Sequence, residues 1–153
     1  SKIENLRMPS QDPFTSQLQH GFYQIERQGN ILRLTIAEGI NRELVLQYQT
    51  DVALHVEALR GQHWGVHLIL DGAVLMTPEA VEALIVITRS HKQLGRCGTA
   101  IELHHAHVNG LLKTFWGNIY QASGIPYTFC TNAAEAELWL NQQILCARAQ
   151  LAE

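Results

Sequence analysis

Between residues 31 and 130 the chain repeatedly follows a short run of alternating apolar residues with a longer stretch that is apolar at helical spacing. That alternation restricts the fold more than any other feature. "WGVHLILD", residues 64–71, is a strand by period and composition. It leads through a short loop to "TPEAVEALIVITRSHKQLG", a helix with Thr77 as N-cap, Pro78 at its first position and Gly95 as its stop. "CGTAIEL", "VNGLLKTFWGNIYQASG", "PYTFC" and "TNAAEAELWLNQQILCARA" continue as strand, helix, strand and helix. In the last of these, Asn132 and Glu135 stand at capping-box spacing, and Trp139, Leu140 and Ile144 face inward. Upstream, "FYQIERQGNILRLTIAEG" reads as a hairpin, Phe22–Arg27 and Ile31–Ala37, turning at Gly29-Asn30. It is followed by a helix capped by Asn41, with the stripe Val45, Tyr48, Val52, Val56 and Leu59 and with Gly61 at C′.

The order is ββαβαβαβα. It predicts a single α/β domain with a mixed, mostly parallel sheet, right-handed crossovers and helices mainly on one face. A parallel sheet covered on both sides has strands that are apolar throughout. Here Glu26, Arg33, Thr35, His67, Ile69 and Glu102 share one side of the alternation. That face is expected to be partly open, covered by the N-terminal arm or a partner chain, with Thr or Glu neighbours such as Glu102 satisfying His67.

At 153 residues, 46% hydrophobic and 16% charged, the chain suffices for one self-supporting core. Residues 1–20, polar with two prolines and without signal-peptide layout, read as a flexible arm, and 21–150 as the domain. A net charge of -3 supplies no basic field for nucleic acid, and no apolar run is long enough to span a membrane. Cys97, Cys130 and Cys146 lack CxxC spacing, which points to reduced thiols in a cytoplasm. There is no Walker pattern, GxGxxG or GxSxG, and no cofactor is expected.

Several residues invite a functional reading. Asp71 ends a strand, where catalytic carboxylates often sit, but no second carboxylate or histidine stands at a telling spacing; a loop-capping role is favoured. Thr77 is favoured as an N-cap over a phosphorylation site. His104, His105 and His107 in "ELHHAH" are metal-capable residue types without a cysteine pair or HExxH, and a solvated loop is favoured over a metal centre. Leu112, Phe115, Trp116 and Ile119 form a bulky stripe, read first as core.

"LILDGAVLMTPEAVEAL" and "FCTNAAEAELWL" carry a resemblance to the STAS superfamily (sulfate-transporter and anti-sigma-factor-antagonist domains), in its stage-II-sporulation-AA-like, or SpoIIAA-like, bacterial branch. The resemblance spans Phe22 to Ile144. It implies a non-enzymatic protein-interaction or regulatory module whose partner, an unidentified protein, meets the loop after the third strand. Carried onto this chain, that surface comprises Asp71, Met76, Thr77, Pro78, Glu79 and Glu82. The phosphorylatable serine of the family's switch is absent, with Pro78 and Glu79 in its place. The second reading is a carrier for a small apolar ligand or lipid, with a pocket under the third helix at Phe115, Trp116 and Ile119. Homodimerisation through the open sheet face or through exposed apolar helix surface is also compatible with the pattern, which does not choose between them.

Overall fold

The structure, a computed structural model, describes residues 22–104 and 109–152. The expected arm and the His105–His107 part of the histidine loop lie outside the described residues. β1 (Phe22–Gln28) and β2 (Ile31–Ala37) form the antiparallel hairpin. Gly29 turns it at φ 59, in the left-handed region that a two-residue connection requires. α1 (Arg42–Ala58) starts where Asn41 accepts a hydrogen bond from Leu44 N at 2.9 Å. It ends earlier than its glycine suggests: Leu59 and Arg60 satisfy the carbonyls of His55, Val56 and Glu57, so Gly61, at φ 79, lies one residue past the C′ position. β3 (Trp64–Asp71), α2 (Pro78–Gln93), β4 (Arg96–Leu103), α3 (Asn109–Ser123), β5 (Tyr127–Cys130) and α4 (Ala133–Ala152) follow in the expected order. Before α4, Asn132 Oδ1 accepts from Glu135 N at 2.9 Å while the Glu135 carboxylate accepts from Thr131 N at 3.0 Å.

The sheet runs β1-β2-β3-β4-β5, antiparallel at the first pair and parallel thereafter. Register aligns Leu34, Leu68 and Ile101, then Ile36, Leu70 and Leu103, on one face. That face packs under α1, α2 and α3 to form the main core. β4 begins at Arg96, one residue before the predicted strand. Arg96 pairs with Trp64 and Gly98 with Gly65, leaving Cys97 as the extra residue of a bulge.

The opposite face carries Arg33, Thr35, His67, Ile69 and Glu102, as the alternation predicts. Its cover differs from the expectation. The half over β3, β4 and β5 is closed by α4, through Ala136 and Leu140 on Ala100 and Cys130. Two glycines make this possible. Gly65 and Gly98 are register partners, and a Cβ on Gly65 would stand 2.7 Å from Leu140 Cδ2 and 3.3 Å from the Gly98 carbonyl oxygen. The helix therefore rests nearly on backbone. Leu140 is fully buried, in an interior that is close-packed. Gly65→Ala should destabilise the fold by about 1–3 kcal/mol through this overlap. Urea unfolding measures it, and an unchanged midpoint would mean α4 is not seated as described.

Inside the main core lies a polar island. The Arg96 guanidinium, 3% exposed, donates to Thr99 Oγ1 at 2.8 Å and to His91 Nδ1 at 3.4 Å, and sits 5.6 Å from the Tyr120 ring centroid. Burial raises the Tyr120 phenol to about 12, opposed in part by Arg96. Burial, and then the positive charge of Arg96, lowers His91 to about 3. His91 is thus neutral when folded and free to protonate when unfolded. Below the unfolded value the unfolded chain binds the extra proton, so stability falls as pH drops from 6.5 towards 3. Between pH 7 and pH 4.5 His91 alone should remove about 2 kcal/mol. Urea titrations at both pH values should show a smaller loss in His91→Gln, which keeps an acceptor for Arg96 but cannot titrate.

Candidate functional site

The loop that joins β3 to α2 lies at the C-terminal end of the parallel strands, where α/β folds place ligands and partners. Asp71 ends β3 with its side chain exposed and without a hydrogen-bond partner among the described residues, so it does not cap the loop. Backbone takes that role. Gly72, at φ 104, turns the chain, and its carbonyl accepts from Val74 N at 3.0 Å. Val74 is fully buried and its carbonyl accepts from Trp116 Nε1 at 3.0 Å, which ties the loop to α3.

The second half of the loop is zipped to the β2–α1 connection. Ile40 N donates to Leu75 O at 3.0 Å, Thr77 N donates to Ile40 O at 3.1 Å, and Ile40 and Met76 form a parallel bridge. The connection enters this pairing through Glu38, the sole non-glycine with positive φ among the described residues, at 66°. A groove of about 590 Å3 runs between Glu38–Asn41 and Leu75–Thr77. Thr77 Oγ1 accepts from Ala80 N at 3.3 Å, Pro78 fills the first helical position, and Glu79 lies at the positive end of α2.

Of the residues assigned to the partner surface, Asp71, Thr77, Pro78, Glu79 and Glu82 are exposed and Met76 is half-buried. Met76 and Thr77 line the loop groove, Glu79 and Glu82 line a second depression of about 380 Å3 between α1 and α2, beside Arg42 and Val86, and Asp71 and Pro78 line neither. Leu75, 41% exposed, and Val86, 65% exposed, add apolar contact area that the residue pattern did not single out. Both follow helix or loop periodicity only loosely, so no signal short of the fold marked them.

Trp116 borders an apolar cavity of about 30 Å3 with Tyr23, Tyr48 and Tyr120, while Phe115 and Ile119 do not line it. That volume holds about one water and not an acyl chain. On the other face, His67 Nε2 meets Glu102 Oε1 at 2.7 Å and His104 Nε2 meets Glu102 Oε2 at 2.5 Å. Burial lowers the His67 pKa despite the carboxylate beside it. Each imidazole commits a nitrogen to that carboxylate, and among the described residues no group of three His, Cys, Asp or Glu is disposed to hold a metal ion. Burial pushes Cys130 up to about 11, away from thiolate chemistry, while Cys146 is exposed. Among the described residues no helix is long and apolar enough to cross a membrane.

A five-stranded mixed sheet in sequential order, with three helices on one face and the last helix on the other, defines a SpoIIAA-like α/β fold. The crystal structure of an uncharacterized protein of the DUF3478 family with a SpoIIAA-like fold, from Shewanella loihica PV-4, superposes with a TM-score of 0.54 at 15% identity, over 81% of this chain and 96% of that one. An anti-sigma factor antagonist from Mycobacterium paratuberculosis aligns with a TM-score of 0.40 at 15% identity, over 68% of this chain and 94% of that one. At such identity the likeness is one of fold. No protein-family profile and no curated protein sequence matches the chain.

Thr77→Ala removes the α2 cap and should cost about 1 kcal/mol. Thermal or urea unfolding checks this; a loss confined to that size identifies the hydroxyl as a cap.

Proposed function

We propose that this chain is a non-enzymatic protein-interaction or regulatory module that presents the β3–α2 loop and the first turns of α2 to a protein partner. The observation that carries the reading is the backbone zipper between Ile40 and Leu75–Thr77, which holds an exposed loop in one conformation. A preset loop loses little entropy on docking, which favours recognition by a fixed surface. Leu75 and Val86 offer apolar contact, and Glu79 and Glu82 set the sign of the surrounding charge. The SpoIIAA-like fold supports this assignment, as does the sequence resemblance to STAS proteins.

Regulation, in this reading, does not run through a phosphoserine. Pro78 and Glu79 stand where the resemblance places the serine, and the one hydroxyl, that of Thr77, accepts the capping hydrogen bond from Ala80 N.

Affinity capture from the native host, quantified by mass spectrometry, tests the surface. Leu75→Asp and Glu82→Arg should each reduce recovery of the specific partner by about tenfold or more, the effect of losing one central contact. A partner profile unchanged by both substitutions, with the variants folded, rules this surface out.

A further inference from the structure

At the end of the sheet opposite that loop, the C-terminal halves of α1 and α2 and the end of α4 enclose a groove of about 560 Å3. Its apolar wall comes from Ala53 and Val56 of α1, Ile87 and Leu94 of α2 and its cap, and Leu151 of α4, while Gln49, Glu57, Arg60, Gln62, His63, Ser90 and Gln93 supply a polar rim. Leu94 is 52% exposed and Leu151 76%, so the groove presents apolar surface to water. His91, 4% exposed, also lines it.

The protonation of that imidazole follows from its neighbour. A guanidinium only donates, so the contact from Arg96 Nη1 makes His91 Nδ1 an acceptor and leaves the ring proton on Nε2. Nε2 has no hydrogen-bond partner among the described residues, yet it is not one of the sealed, unpartnered nitrogens; its N–H therefore opens on the groove. Behind it, Arg96 is buried without a carboxylate partner among the described residues, and its Nε is unpartnered. A buried cation of this kind calls for a compensating anion. Helix C-termini ordinarily favour cations. Here, however, the final carbonyls are already engaged. His55, Val56, Glu57 and Leu59 accept from Leu59, Arg60 and Gln62 N–H groups, His91 and Lys92 from Leu94 and Gly95 N–H groups, and Leu94 from Trp64 Nε1. At the mouth Arg60 and Glu57 pair with each other at 3.1 Å and offset one another.

We infer that this groove binds a small aliphatic carboxylate, one carboxylate oxygen accepting from His91 Nε2–H with Arg96 behind it, and the chain lying against Val56, Ile87, Leu94 and Leu151. The neutral imidazole passes the field of the guanidinium to the ligand without itself carrying charge, and the apolar walls take the chain. This site is separate from the partner surface and does not rest on that reading.

A titration of the full chain with sodium octanoate, followed by 1H–15N NMR, tests it. The Trp64 indole, whose ring lies 5.4 Å from that of His91 and whose N–H meets the Leu94 carbonyl, is the reporter. Saturable shifts are expected at the Trp64 indole and at the Gly61, Leu94 and Leu151 amides. Octanol, lacking the carboxylate, should bind about tenfold more weakly, the worth of a hydrogen bond to a charged group. His91→Phe should weaken octanoate similarly. Because that variant also deprives Arg96 of an acceptor, Ala53→Trp, placed on the exposed wall, provides a second test that leaves the core intact and should abolish the shifts. Equal binding of octanol, unsaturable shifts, shifts mapping elsewhere, or full binding by folded Ala53→Trp would each overturn the assignment.

Discussion

The close approach of α4 to the paired glycines Gly65 and Gly98 is the constraint on which the second layer depends. Remove that approach and His67 and Glu102, both sealed beneath the helix, face water. With it, the carboxylate is spent on two imidazoles, and Arg33 on the neighbouring strand reaches Glu137 of α4 at 3.5 Å. Most of the energy of this layer comes from apolar burial at Ala136, Leu140 and Ile144. The polar pairs fix where the helix sits more than they hold it down, since a partly exposed pair such as Arg33–Glu137 contributes little.

Much of this was legible in the residues. Period and capping chemistry identified every element, and the strand alternation placed His67 and Glu102 on one face within reach of each other. What covers that face was not legible. α4 is apolar around much of its circumference, with Leu138 and Leu145 exposed as well as Leu140 and Ile144 buried, so its stripe does not announce which sheet face it serves. A signal was present in the strands: two glycines on the otherwise polar face, followed in β4 by Ala100, form the shallow seat a helix needs. Arg96 was missed for a different reason. It lies at the edge of the bulge, and its surroundings, His91, Thr99, Tyr48 and Tyr120, come from four elements that the sequence does not bring together.

At the candidate surface the start of α2 was legible and the tie that holds its loop was not. Thr77, Pro78 and Glu79 identify a helix start, and the resemblance identifies the loop. The rigidity of that loop depends on Ile40, thirty-six residues before Met76, and on Trp116 from α3. Backbone pairing between two connections leaves no side-chain pattern to read, because any residue with an N–H and a carbonyl can supply it.

The same helix pair serves both ends of the molecule. Asn41 and Thr77 cap α1 and α2 beside the loop, while the far halves of these helices frame the groove over His91. Gln49 and Ile87 line both that groove and the depression holding Glu79 and Glu82, so the two spaces meet along the α1–α2 seam. At the loop end the helices are pinned through the Ile40–Met76 pairing. At the groove end they flank the 560 Å3 groove and are bridged by Arg96, which reaches His91 on α2 and lies close to Tyr48 on α1. One helix pair thus frames both the candidate surface, tied by backbone pairing, and the groove, tied by a buried side chain.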